Sequence, residues 1–262
     1  MPPPPPGTLE KLFRAIVNDQ LEDVYGLCAQ FGRHLVNQPD EYGRTPLWVA
    51  ADCVSAKAVH CLLSYGADPT VTDVWKITPL HKAVIRDNVS IVSQLIAAIP
   101  VKQERIAYVN QTDALGESAL FLAVQENSYE IAKTLLNAGA NIMVHNKLSR
   151  NTPLHDVKTI NMAKLLLQDA FLFEKLKWLL VQNVSGKTAA ETVTDPAVAV
   201  YLKDVFHTSE QLAEQHKKRL KRKDSAPPAT RMFATAVCRP LARRASDLDL
   251  RAMDASSPTM RV

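Results

Sequence analysis

A hexapeptide recurs along this chain at a nearly constant interval, and that interval constrains the fold more than any other feature. The fullest copy, TPLHKA, begins at Thr78, and related copies begin at Thr45, Ser118, Thr152 and Thr188. Successive copies therefore start 33, 40, 34 and 36 residues apart. One globular core needs no such period, whereas a stack of short units, each touching only its neighbours, does. We expect a row of repeats.

Each copy has the residues that start a helix. Proline at the first helical position loses no hydrogen bond, because the amide there has no intrahelical acceptor, and a preceding threonine can cap the free amides. Pro46, Pro79 and Pro153 fit this role. Gly66 and Gly139 fit the left-handed position just after a second helix. Each unit is therefore predicted to be a turn followed by two helices.

The copies TPLHKA, TPLWVA, SALFLA and TPLH resemble the ankyrin repeat, whose units of about 33 residues combine a β-turn with two helices. The resemblance covers about three quarters of the chain. It implies an all-α fold, an ankyrin-type solenoid of stacked helix-turn-helix repeats with β-turn fingers. The composition after the repeats predicts a basic, largely disordered tail.

The chain divides into three predicted segments. Residues 1–7 form a proline-rich leader that we expect to be disordered, and residues 8–206 form five to six repeats whose first and last members are divergent. Extra residues near 100–108 predict a loop or an extra helical turn. In the fourth unit, Thr152 lies 13 residues before Leu165 instead of the usual 17, so its first helix or its inter-helix turn is shortened. Residues 207–262 read as a charged helix and a flexible basic tail.

Charge and cysteine usage bound the class of protein. The net charge of +4 is uneven, because residues 217–262 hold 12 Lys or Arg against 4 Asp or Glu. The four cysteines form no CxxC pair, which favours a reduced, intracellular compartment. No apolar run reaches 18 residues, so we expect no membrane span. We expect a monomer located in the cytoplasm or the nucleus.

No enzyme or cofactor is expected. Ser185-Gly186-Lys187-Thr188 resembles the end of a phosphate-binding loop, but that motif needs glycine where Val181 stands. His81 and His155 lie about two repeats apart without ligand partners nearby, so we interpret them as structural rather than as metal ligands.

The resemblance also implies a binding surface, because ankyrin-like stacks bind proteins through the turn tips and the first helices. The tips contain several apolar residues, which mark an interface when they are exposed. Trp75 is the predicted anchor, since tryptophan is enriched at binding hot spots; the alternative is that its tip packs against neighbouring units. The predicted partner-binding residues are Tyr42, Arg44, Val74, Trp75, Ile77, Leu115 and Glu117 on the tips, with Ile85, Arg86 and Gln125 on the first helices.

A basic run follows the repeats. The run is typical of a nuclear-import signal, of a contact with nucleic acid or of a solvated charged segment. Aromatic residues nearby are scarce, which disfavours stacking on the bases of single-stranded nucleic acid. Ser246, after two arginines, resembles a kinase substrate. The run consists of Lys217, Lys218, Arg219, Lys221, Arg222 and Lys223.

These features predict a non-catalytic scaffold or adaptor that binds a protein through the concave face of its repeats. One alternative is a nuclear regulator whose basic tail contacts nucleic acid, or directs import, while the repeats recruit a protein. A regulatory subunit of an enzyme is another alternative.

Overall fold

The computed structural model describes residues 4–168 and 171–224, with side chains as far as Arg219, so Ser246 lies outside the described residues. The described residues divide between Glu210 and Gln211 into two units. Within the described residues the secondary structure is helical apart from isolated bridges, which confirms the all-α repeat prediction.

Helix pairs follow one another along the first unit. We call them the N-terminal repeat, repeats 1 to 4 and the C-terminal repeat. The helices are α1 (Thr8–Val17), α2 (Leu21–Phe31) and α3 (Arg33–Val36); α4 (Pro46–Asp52) and α5 (Ala56–Ser64); α6 (Pro79–Ile85), α7 (Val89–Ala97) and α8 (Lys102–Val109); α9 (Ala119–Gln125) and α10 (Tyr129–Asn137); a 3-10 helix (Pro153–Asp156), α11 (Ile160–Leu167) and α12 (Leu172–Leu179); and α13 (Ala189–Thr192) and α14 (Pro196–Asp224).

The recurring hexapeptide starts the first helix of each repeat. In repeat 2 the Thr78 hydroxyl accepts the His81 amide at 3.2 Å, and Pro79 occupies the first helical position. This arrangement satisfies an amide that has no partner inside the helix. The leucines that follow the cap, Leu47, Leu80 and Leu120, are buried to 0%, 1% and 0% exposure. Equivalent positions therefore form one continuous core along the stack.

Three short helices stand outside the two-helix pattern. α3, α8 and α12 follow the second helices of the N-terminal repeat, repeat 2 and repeat 4, so that an inserted helix occurs at every second repeat. The insertion near 100–108 was predicted as a loop or one extra helical turn, and it is instead an eight-residue helix. Tyr108 and Val109 on α8 are 2% and 0% exposed, so their burial against the core holds the segment helical.

The leader and repeat 4 also depart from the regular pattern. The leader is tied down in its described part, because the Pro5 carbonyl accepts both the Thr8 amide at 3.2 Å and the Thr8 hydroxyl at 2.7 Å. The first helix of repeat 4 is a four-residue 3-10 helix, in agreement with the shortened spacing before Leu165. Among the described helices, none combines the length and the apolar character needed to cross a membrane.

Candidate partner-binding surface

The turn before each first helix forms a finger, and in repeats 1 and 2 one aspartate sets its shape. Asp73 Oδ1 accepts the amides of Trp75 and Ile77 at 2.9 and 2.8 Å, and Asp40 does the same for Tyr42 and Arg44 at 2.9 and 2.8 Å. The carboxylate oxygen thus accepts hydrogen bonds from turn amides that would otherwise need another acceptor. The finger conformation of these two repeats is therefore specified by their own sequences, and in repeat 3 Asp113 keeps one of the two bonds, from the Glu117 amide at 2.9 Å.

Neighbouring fingers are joined by backbone hydrogen bonds. The amide of Val74 donates to the carbonyl of Tyr42 at 3.0 Å, and the amide of Ala114 donates to the carbonyl of Trp75 at 2.9 Å. The amide of Lys147 continues the row by donating to the carbonyl of Leu115 at 2.7 Å. The fingers thus form a connected row rather than independent loops, and they hold their tip side chains in fixed relative positions.

The tips expose apolar side chains to solvent. Trp75 is 55% exposed and Val74 is 59% exposed, while Tyr42 and Leu115 are each 46% exposed. Ile77 was predicted to belong to the exposed patch, but it is only partly exposed and packs against the core. It directly precedes the buried cap residue Thr78, which draws it toward the stack. The indole of Trp75 is therefore not sealed inside the stack.

The first helices supply a second row of side chains beside the fingers. Ile85 and Arg86 at the end of α6 are exposed, and Gln125 at the end of α9 is half-buried. Arg86 reaches back to repeat 1, where its guanidinium lies 3.0 Å from Asp52 Oδ1. Lys82 Nζ lies 3.5 Å from the same oxygen. Exposed pairs of this kind contribute little stability, but they fix where the cations point.

Trp48 lies beneath this surface, and the sequence interpretation missed it. Its ring contacts two cations, with Lys82 Nζ at 4.7 Å and the Arg44 guanidinium at 5.7 Å from the ring centroid. The indole donates to the Ile77 carbonyl at 3.2 Å, and the side chain is 6% exposed. Arg44 also covers Tyr42 at 5.0 Å. The signal was available, since a tryptophan stands where the fullest hexapeptide has histidine.

The two hexapeptide histidines are structural. Nδ1 of His81 lies 2.7 Å from the Thr78 hydroxyl and accepts the Thr78 amide at 3.2 Å. His155 makes the same contacts with Thr152 at 2.9 and 3.2 Å. Burial lowers the pKa of both imidazoles. Each histidine therefore completes the cap of its own helix.

The basic run begins within the described residues. Lys217, Lys218 and Arg219 are exposed near the end of α14. Lys221, Arg222 and Lys223 continue the helical backbone of α14, and their side chains are outside the described part.

Comparison with known proteins agrees with this architecture. Residues 53–147 match the family model described as ankyrin repeats in three copies. Human transient receptor potential cation channel subfamily A member 1 is 29% identical over 136 residues, which is 52% of this chain and 12% of that protein. Neurogenic locus notch homolog protein 1 of Xenopus tropicalis is 33% identical over 150 residues, 47% of this chain and 6% of the relative. The mouse ankyrin and armadillo repeat-containing protein is 30% identical over 154 residues, 58% of this chain and 9% of the relative. The chain thus spans only a small part of these relatives.

Proposed function

Because this chain is an ankyrin-repeat protein, we propose that it is a non-catalytic scaffold or adaptor that captures a protein partner on its fingers and first helices. Ankyrin repeats are in general protein–protein interaction modules. We propose that it acts as a monomer in the cytoplasm or the nucleus.

One observation carries the proposal: the exposed apolar pair Val74 and Trp75, 59% and 55% exposed, lies on a finger that backbone hydrogen bonds tie to both neighbours. A surface that is already ordered loses little conformational freedom on binding, so more of its contact energy appears as affinity. Tryptophan adds a large contact area with few rotatable bonds. Tyr42 and Leu115 extend the apolar surface to either side.

A pull-down followed by affinity measurement tests the proposal. The variant Tyr42→Ala/Trp75→Ala removes both aromatic tips, and we expect it to weaken partner binding by about thirtyfold or more, since truncating a hot spot costs ~2 kcal/mol. The matched control is Tyr25→Ala/Tyr129→Ala, which removes aromatic residues of 42% and 40% exposure from second helices. The melting temperature should stay nearly unchanged in both variants. Equal binding by both variants would contradict the proposal.

A second function is supported by the exposed cations Lys217, Lys218 and Arg219. We propose that the basic run contacts nucleic acid while the repeats recruit a protein. Binding to a duplex oligonucleotide should then weaken steeply as salt rises, because neutralised phosphates release counterions. Salt-independent binding, or no binding at 50 mM salt, would refute this second function.

A further inference from the structure

A cavity that is separate from the fingers lies between the second helices of repeats 1 and 2. Its volume is about 930 Å³. The end of α5 and the loop after it form one side, the end of α7 forms another, and Arg33 and Asn37 bound it on the side of α3. None of the lining residues that the structure describes belongs to a finger or to a first helix. The cavity is therefore a surface distinct from the proposed partner-binding surface.

The alternation of the inserted helices explains where this cavity lies. α3 precedes repeat 1 and covers the end of its second helix, where a Cβ added to Gly66 would lie 2.5 Å from Arg33 Nε. α8 precedes repeat 3 in the same way, and a Cβ added to Gly139 would lie 2.8 Å from Ile106 Cγ1. No inserted helix precedes repeat 2, since the described chain passes from α5 to the finger before α6 without another helix. The end of α7 is therefore left without such a cover.

The size of the cavity matches that of an inserted helix. Ala97 and Ala98 at the end of α7 are exposed, and Ala67 faces them from repeat 1 as a further small lining residue. A helix about 10 Å wide fills roughly 120 Å³ per residue, so that about eight residues, or two turns, fit this volume. α8 itself has eight residues. Side chains as small as alanine let such a helix approach the end of α7 closely.

An unpaired hydrogen-bond acceptor lies in the wall of the cavity. Gln94 is a lining residue, and its Oε1 is shielded from solvent without a hydrogen-bond partner in the described part of the chain. Its Nε2 makes only a 3.5 Å contact with the Ser90 hydroxyl. An enclosed acceptor without a partner costs free energy, which a donor brought into the cavity would recover. The wall of the cavity is therefore incomplete in its hydrogen bonding.

Charge does not select the occupant of this cavity. Arg33 and Asp68 both line it, and neither forms an ion pair within 4.0 Å with any described residue. Asp68 Oδ1 accepts the amide and the hydroxyl of Thr70 at 2.9 and 2.7 Å. The lining thus holds one arginine and one aspartate. Shape and apolar contact decide what binds here.

We propose that the cavity binds a short amphipathic helix of a second protein, which covers the end of α7 as α3 and α8 cover the ends of α5 and α10. The covering residue of α8 is the branched aliphatic Ile106, so the bound helix presents a leucine, isoleucine or valine to Ala97 and Ala98. It also brings a hydrogen-bond donor to Gln94. The inference goes beyond the proposed function, because it gives the scaffold a second binding site on a different surface.

Selection from a displayed library of random 12-residue peptides against the full-length wild type tests the inference. The affinity of each selected peptide is then measured for Ala97→Trp and, separately, for Ala98→Trp, in which the indole fills the cavity. The control Ala29→Trp makes the same change at an exposed alanine of α2. Tyr42→Ala/Trp75→Ala identifies the peptides that bind on the fingers. Melting temperatures confirm that all of these variants are folded.

We expect a group of peptides that bind both cavity variants at least about tenfold more weakly than the wild type. These peptides should bind Ala29→Trp and Tyr42→Ala/Trp75→Ala with unchanged affinity, because both changes lie outside the cavity. They should carry branched aliphatic residues at helical spacing and become helical on binding, as measured by difference circular dichroism. The absence of any peptide with this pattern of affinities, or such peptides without helix formation, would overturn the inference.

Two other occupants of the cavity would give different results. A second copy of the chain would make the wild type dimerise in sedimentation, whereas both cavity variants would be monomeric. The chain's own residues 225–262 would be displaced when the indole fills the cavity, so trypsin would cleave them faster in Ala97→Trp than in Ala29→Trp. Either result would contradict the assignment of the cavity to a second protein.

Discussion

Asn37 and Asn110 make the same pair of hydrogen bonds 73 residues apart in the sequence. Asn37 donates to the Gly66 carbonyl at 2.9 Å and accepts the Asp68 amide at 2.7 Å. Asn110 donates to the Gly139 carbonyl at 2.9 Å and accepts the Asn141 amide at 2.7 Å. Each asparagine directly follows an inserted helix and binds the end of the next repeat. The structural period is therefore two repeats, of which only one carries an insertion.

Removing one of these links should destabilise the stack measurably. Asn110→Ala deletes both bonds to repeat 3 and a third to the Ile106 carbonyl at 2.8 Å. We expect the free energy of unfolding to fall by about 1–2 kcal/mol, measured by urea denaturation. The control Asn137→Ala, at an exposed position of α10, should stay within about 0.5 kcal/mol of the wild type. Equal effects would show that the link carries no stability.

Gly139 should tolerate a side chain less well than Gly186. Both have positive φ, +99° and +70°, so alanine costs backbone strain at either position. At Gly139 the added Cβ would also lie 2.8 Å from Ile106 Cγ1, whereas nothing lies within 4 Å at Gly186. Gly139→Ala should therefore lower the free energy of unfolding by more than Gly186→Ala does, by about 1 kcal/mol or more.

The double variant Ile106→Ala/Gly139→Ala identifies the clash. Relative to Ile106→Ala alone, adding Gly139→Ala should cost no more than Gly186→Ala costs in the wild type, since the obstructing atom is gone. If Gly139→Ala costs as much in the Ile106→Ala background as in the wild type, the whole cost comes from backbone strain and the clash contributes nothing.

The described cysteines should differ in reactivity. Cys28 and Cys61 are buried, and burial raises the pKa of both thiols, that of Cys28 to about 12. Cys53 is exposed, but partial burial of its thiol raises its pKa as well. In a Cys238→Ser background, iodoacetamide at pH 8 should modify Cys53 first, and Cys28 and Cys61 only after unfolding, because access and thiolate formation both limit the reaction. Mass spectrometry showing early modification of Cys28 would contradict the buried core at α2.

Stability should fall as the pH drops below the ordinary histidine range. Burial lowers the pKa of His81 from 6.5, so its neutral form is retained in the folded protein while the unfolded chain takes up a proton. The stability that neutral His81 contributes is thus fully present above pH 6.5 and is lost as the pH falls below it. The free energy of unfolding should decrease by up to about 1.4 kcal/mol per pH unit from this group. Protonation of Nδ1 would also remove the acceptor of the Thr78 amide. Urea denaturation between pH 7 and pH 5 measures the slope, and His81→Gln should flatten it; an unchanged slope would mean that His81 does not contribute.

The hexapeptide made the repeats predictable because its residues act locally. Thr78 caps the helix and Pro79 starts it without reference to anything distant in sequence. Leu80 follows at a fixed offset and is buried against neighbouring units that repeat the same pattern, so the periodic spacing locates all three residues. The same is true of the shortened helix in repeat 4, which follows from the spacing between Thr152 and Leu165.

The inserted helices and the Trp48 contacts were harder to predict because both depend on neighbouring repeats. α3 was not predicted, and α8 was predicted to have one turn at most, since neither segment has the hexapeptide. A signal was present: the tripeptide Val-Asn-Gln occurs at residues 36–38 and again at 109–111. The Trp48 ring contacts Arg44 of its own repeat and Lys82 of the next, and the tryptophan at the histidine position of the hexapeptide marks the residue without specifying these contacts.

Hydrogen–deuterium exchange of the protein with and without a captured partner tests the central claim most directly. The account predicts that binding slows exchange at the fingers and first helices, within residues 41–52, 74–86 and 114–126. The second helices α5, α7 and α10 should exchange at unchanged rates. Protection confined to those second helices, with the fingers unaffected, would contradict the account.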